Sequence, residues 1–147
     1  ELTYDRRIQA RFAQLIDAAD LLLPSGAELE RAAGVEGESA AVQSLFQRGR
    51  KEIVLKRGAQ GATCFRSCKA PINALAFDVQ EVDPTGAGDC FGGAYVACRR
   101  MGLPLADVLT YACAAGARNV TKYGPMEGAG TRLQLDAFIQ TTKRLDK

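Results

Sequence analysis

The sequence predicts an α/β fold with helices layered on a sheet. Short apolar runs of strand character alternate with stretches whose apolar residues recur every three or four positions. Gly and Pro punctuate the changes between them. No linker-like boundary, internal repeat or low-complexity tract interrupts the pattern.

Ile8, Phe12, Leu15, Ile16 and Ala19 recur at helical spacing. Leu21-Leu22-Leu23-Pro24 then reads as a short buried strand stopped by proline. A short helix is expected over 25–33, ending at Gly34, and another over 39–48, ending at Gly49. Ile53-Val54-Leu55 centre a strand over 52–56, the segment 57–61 turns, and 62–65 returns as a hairpin partner at the sheet edge. Over 66–82 short strands and connections are expected, with Phe77 and Val79–Val82 extended.

Asp83-Pro84-Thr85-Gly86-Ala87-Gly88-Asp89 is a loop rich in breakers. A helix follows with Phe91, Ala94, Tyr95, Cys98 and Met101 on one face, and Gly102 ends it. Pro104 suits the first turn of the next helix, where Leu105, Val108, Leu109, Ala112, Gly116 and Val120 share a stripe. The segment 121–130 is loop. Thr131-x-x-Gln134 resembles a capping box that starts a last helix with Leu135, Phe138, Ile139 and Leu145 inward.

Composition narrows the chemistry. In 147 residues, 19 basic side chains face 17 acidic ones, too even a balance for a general binder of nucleic acid or anionic membrane. No Trp is present and the other aromatics are scattered, so no stacking stripe for bases appears. No apolar run approaches the ~20 residues of a membrane span, and Glu1 to Arg11 lacks a signal-peptide core. With no His, a Ser-His-Asp triad, a Cys-His pair and a His-ligated metal are excluded within this chain. Cys64, Cys68, Cys90, Cys98 and Cys113 are odd in number and form no C-x-x-C, so they read as buried or half-buried thiols of a cytoplasmic protein.

The loop at 83–89 carries the most chemistry. Gly86 and Gly88 let the backbone approach a ligand, and the helix that follows directs its N–H groups and dipole at an anion, most naturally a phosphate. No G-x-x-x-x-G-K-[ST] string exists, and a G-x-G-x-x-G match fails because Phe91 stands at its last glycine. Asp89 would also repel a pyrophosphate resting at that mouth. It fits a different arrangement, in which a γ-phosphate lies over the Gly86–Gly88 amides and Asp89 takes the proton of an attacking hydroxyl. A favourable first-turn acid would equally place Asp89 there.

The segment from Asp83 through Gly88, Asp89, Cys90, Phe91, Gly92 and Gly93 to Ala94 resembles the C-terminal signature of the ribokinase-like (PfkB) carbohydrate kinases. Ala19–Pro24 followed by Glu28, the turn Lys56-Arg57-Gly58-Ala59-Gln60-Gly61-Ala62, and Ala112–Val120 with Gly124 resemble further family segments in the right order. The flavour is that of 2-keto-3-deoxygluconate and ketose kinases. The resemblance implies a ribokinase-like three-layer αβα sandwich and ATP-dependent phosphorylation of a sugar or sugar-acid hydroxyl. It implies Asp89 as general base, with Gly86, Ala87 and Gly88 as anion hole. Lys56, Arg57 and Gly58 would lie near the nucleotide, and Ala115, Gly116 and Asn119 would face the adenosine. Mg²⁺ would accompany the phosphates, with Glu28 as an organiser, and a monovalent cation such as K⁺ would sit near Asp83 and Thr85, held largely by backbone oxygens.

Two departures stand out. Ser25 replaces the Asn of the family's Asn-x-x-Glu motif, and Ser25 with Glu28 also fits a plain capping box. Family members are longer on the N-terminal side, so residues 1–147 are expected to be the C-terminal, nucleotide-binding part. Without the sugar-binding and lid part, through which homodimers form, such a chain should be poorly active alone. A nucleoside or vitamin kinase of the same fold, or a noncatalytic nucleotide-binding module, is the alternative. Lys122 and the Arg48-x-Arg50-Lys51 run read as solvated surface.

Overall fold

Strand β1 (Leu21–Leu22) runs parallel to β2 (Glu52–Lys56), with Leu21 opposite Glu52 and Leu22 opposite Ile53. Parallel neighbours need a long crossover, and helices α2 (Gly26–Ala33) and α3 (Glu38–Gln47) supply it. The computed structural model describes residues 6–145 and opens with α1 (Arg6–Ala18). Beyond β2 come a 3₁₀ turn (Gly58–Gln60), β3 (Ala62–Arg66), β4 (Ile72–Ala74), α4 (Ala87–Arg100), α5 (Leu105–Asn119) and α6 (Arg132–Thr141). The strand order is β1-β2-β3-β4, so the pair β2 and β3 is internal to the sheet rather than at its edge. Val79–Val82 forms no strand; the Val82 N–H instead donates to the Val120 carbonyl at 2.7 Å.

The chain divides into two compact units. One holds the residues up to Leu55 with Cys64–Pro71, and the other holds Lys56–Thr63 with the residues from Ile72 on. In the first, Leu22, Leu29, Ala41, Val42, Leu45 and Ile53 form a buried cluster, and Ile16 packs against it. Leu15, expected on the same helical face, is 69% exposed. The core claims only the Ile16 side of α1.

The α2 cap follows the sequence. Glu28 Oε2 accepts from the Ser25 N–H at 2.6 Å, and Gly34 closes the helix in the left-handed region at φ 73°. Arg48 and Arg50 are not merely solvated. Arg48 Nη1 donates to the Ala32 carbonyl at 2.9 Å and Nε to Asp17 Oδ1 at 2.9 Å, while Arg50 Nη1 donates to the Ile16 carbonyl at 2.8 Å. Both guanidiniums satisfy carbonyls at the ends of α1 and α2, which no intrahelical bond can reach.

In the second unit α4 packs on α5, and α5 on α6 and β4. Tyr95, Val108, Leu109, Ala112 and Ala114 are fully buried. Met101, expected inward, is the residue after α4 and is 54% exposed, because Gly102 turns the chain at φ 75° before another turn can form. Thr131 caps α6 as its sequence indicates: its N–H donates to Gln134 Oε1 at 2.9 Å, and its Oγ1 accepts from the Gln134 N–H at 3.4 Å. Past α6 the chain meets Phe77, whose residue pairs antiparallel with Arg144 and whose ring lies 5.3 Å from that of Phe138. Four of the cysteines are buried and all five are free thiols; Cys68 is exposed, in a turn at φ 58°.

Candidate active site

The candidate site lies wholly in the second unit, where the loop 83–86 turns into α4. Gly86 stands at the helix N-cap with φ 76°. No side chain fits there: a Cβ would fall 1.7 Å from the Pro125 carbonyl oxygen. Loop 121–130 is therefore pressed onto the entry to α4. Gly88 and Asp89 follow in the first turn, both exposed. The opening N–H groups of a helix have no carbonyl behind them, so the turn presents donors to solvent and favours a bound anion. The Ala87 N–H departs from this, donating back to the Pro84 carbonyl at 3.2 Å. Of the three amides expected to form an anion hole, that of Ala87 is thus already engaged.

Lys56 completes the cradle. A Cβ on Gly88 would lie 3.2 Å from Lys56 Nζ, which places the ammonium directly over the glycine. Lys56, Gly58, Ala87, Gly88 and Gly116 share the wall of a cavity of about 290 Å³. Its remaining lining is mostly apolar, with Phe77, Val79, Phe91, Cys113, Ala117 and Val120 prominent. An apolar cavity bordered by a cationic, N–H-rich rim suits a nucleobase with its phosphates directed to the rim.

Not every expected residue joins this cavity. Arg57 Nε donates to Thr63 Oγ1 at 2.9 Å, and Thr63 in turn donates to Asn73 Oδ1 at 2.7 Å; these three line a separate, more polar cavity. Ala115 is buried and does not line the slot, whereas Gly116 does. Asn119 is 0% exposed and does not face it either. Ser25 and Glu28 belong to the first unit, where Glu28 serves the α2 cap.

Asp83 and Thr85 are brought together, but their polar atoms are engaged by the protein itself. Asp83 Oδ1 accepts from the Thr85 N–H at 2.9 Å and Oδ2 from the Gly124 N–H at 2.9 Å. The Thr85 hydroxyl, then the Gly124 and Thr85 N–H groups, hold the Asp83 carboxyl below its usual range against a smaller opposing effect of burial. Asn119 Nδ2 donates to the Thr85 carbonyl at 2.9 Å and to the Pro125 carbonyl at 3.3 Å, while Oδ1 accepts from the Gly128 N–H at 3.1 Å. Gly128 is required for that approach, since a Cβ there would fall 2.2 Å from Asn119 Cα.

The thiols of the site are unreactive in character. Burial and, secondarily, the Asp89 charge push the Cys90 thiol up. Burial raises Cys113 from 9.0 to about 12. Sequence reasoning missed Cys113, Ala117 and Phe77 as slot lining. The i, i+4 pair 113/117 on α5 lies beside the stripe that was legible, while Phe77 reaches the slot only through tertiary structure.

The helices and the sheet form an α/β fold of the ribokinase-like kind. A candidate ribokinase II from E. coli, whose structure was solved in complex with ATP and Mg²⁺, superposes with a TM-score of 0.87 at 36% identity, over 91% of this chain and 43% of that one. Arabidopsis thaliana ribokinase, solved with ribose and ATP, superposes with a TM-score of 0.77 at 28% identity, over 87% of this chain and 43% of that one. Haemophilus influenzae ribokinase is 31% identical over 132 residues, which is 86% of this chain and 43% of that protein. Residues 3–132 match the pfkB family carbohydrate kinase profile, and the chain belongs to that family. It spans less than half the length of these relatives.

Proposed function

We propose that the protein carrying this chain transfers the γ-phosphoryl group of MgATP to a hydroxyl of a sugar or sugar acid. The observation that carries the reading is the Gly86–Asp89 turn at the N-terminus of α4, with Lys56 Nζ above Gly88 and an apolar slot beside it. The base would lie in the slot among Phe77, Phe91 and Val120, and the phosphates would extend toward Gly88. The Gly86 and Gly88 N–H groups and the Lys56 ammonium would bind the transferring phosphoryl oxygens and stabilise their developing charge. Asp89 stands exposed in the first turn of α4. Its carboxylate takes the acceptor hydroxyl proton as that oxygen attacks phosphorus. The bond from the γ-phosphorus to the β–γ bridging oxygen breaks, and its electron pair leaves with ADP. Mg²⁺ bound with the nucleotide would supply screening of the phosphate charge.

The relatives support the general reading, since they include ribokinases and a fructokinase from Oryza sativa that is 29% identical over 154 residues. A nucleoside acceptor is the second reading. It is favoured by a cytidine kinase from Thermococcus kodakarensis, 27% identical over 112 residues. ADP release from MgATP by the full-length protein, across ketoses, aldoses, keto-deoxy sugar acids and nucleosides, tests both. Release driven by a sugar or sugar acid is expected; release driven only by nucleosides selects the second reading. ATP binding with no acceptor-dependent release overturns both in favour of a noncatalytic nucleotide-binding module.

A further inference from the structure

A monovalent cation near Asp83 and Thr85 is what the family resemblance implies, and the residues present do not fit one. Such an ion is held where several carbonyl and carboxylate oxygens converge on one point with room for it. Here that point already has an occupant. Asn119 Nδ2 stands between the Thr85 and Pro125 carbonyl oxygens and gives one N–H to each, at 2.9 and 3.3 Å. Its orientation is fixed from the other side, because Oδ1 must face the Gly128 N–H that donates to it at 3.1 Å. Each Asp83 oxygen likewise already accepts one N–H, Oδ1 from Thr85 and Oδ2 from Gly124. The side chain is 0% exposed, so no water competes for these bonds.

We propose that the Asn119 amide does the work of the monovalent cation: it draws the Thr85 and Pro125 carbonyls together and so sets the entry to the Gly86–Asp89 turn, making the enzyme independent of K⁺. The inference rests on the kinase reading for its catalytic consequence. An amide bridge supplies geometry without a full positive charge. The Lys56 ammonium over Gly88 provides that charge at the same turn. Asn119 is thus a positioning residue, acting through the Thr85 carbonyl, one residue before Gly86.

The test compares the full-length protein in KCl and in tetramethylammonium chloride at equal ionic strength, by acceptor-dependent ADP release and by thermal denaturation with MgATP. Wild type is expected to show the same kcat and the same Tm in both salts. Asn119→Asp keeps the size but sets an oxygen against two carbonyl oxygens. It should lose about tenfold to a hundredfold in kcat in tetramethylammonium chloride with little change in KM for ATP. K⁺ should restore kcat and raise Tm in that variant alone. A K⁺-specific activation or Tm rise in wild type overturns the proposal, whether or not any variant folds. So does an Asn119→Asp protein that matches wild type in both salts. Absence of acceptor-dependent release in either salt would instead count against the kinase reading, and the Tm comparison would still decide the role of Asn119.

Discussion

Asn119 shows how a single side chain can serve an active site without entering it. The family resemblance implied that it faces the adenosine. The fold buries it instead and commits both its N–H groups and its oxygen to three loop backbone groups. Nothing in local periodicity could reveal this, because its partners lie 34, 6 and 9 residues away. The resemblance placed Lys56 only near the nucleotide; its Nζ over Gly88 fits the proposed role of phosphate ligand. Charge-assisted hydrogen bonds contribute about 1.5–3 kcal/mol, so Lys56→Ala should weaken ATP binding by roughly tenfold to a hundredfold, measured by titration calorimetry, and Lys56→Arg should recover part of it. Cys113 gives a chemical probe of the slot. With its thiol raised to about 12 by burial, Cys113 carries little thiolate at pH 8. Iodoacetamide should therefore label exposed Cys68 far faster than Cys113, as peptide mass mapping would show. The sign for stability follows. The unfolded chain releases this proton near 9.0 and the folded chain near 12, so this thiol's contribution to stability is intact below pH 9 and declines as pH rises from 9 toward 12.

At the scale of elements, the helices were the most legible part of the sequence. Each is bounded by residues with a mechanical reason to be there: Ser25 and Gly34 at α2, Gly102 after α4, Thr131 and Gln134 at α6. Thr131→Ala removes a side-chain acceptor from the N-terminus of α6 and should cost about 1 kcal/mol, read as a lowered midpoint in urea denaturation. A conservative Thr131→Ser should retain most of that. The strands were less legible. β1 and β4 have only 2 and 3 residues, and the position of β2 and β3 inside the sheet depends on pairings that leave no periodic mark. Val79–Val82 looked extended because a valine stands at each end, yet among the described residues no strand pairs with it; its last N–H goes to the end of α5.

At the scale of the whole molecule, the candidate catalytic loop was readable because its chemistry is local. Glycines, a helix start and a carboxylate within seven consecutive positions, 83–89, impose the same geometry wherever they occur. The apolar slot was not readable, since it draws on the 56–61 turn, the segment at 77–81, α4 and α5 together. The Gly86–Asp89 turn and the slot lie in one compact unit, so nucleotide binding and proton abstraction should be separable by mutation. The most direct test is kcat and ATP affinity for Asp89→Asn in the full-length protein with its best acceptor. Loss of the base predicts that kcat falls by ~10²–10⁴ while ATP affinity is retained. An Asn variant that turns over at the wild-type rate would contradict the assignment of Asp89, and with it the phosphotransfer site described for this loop.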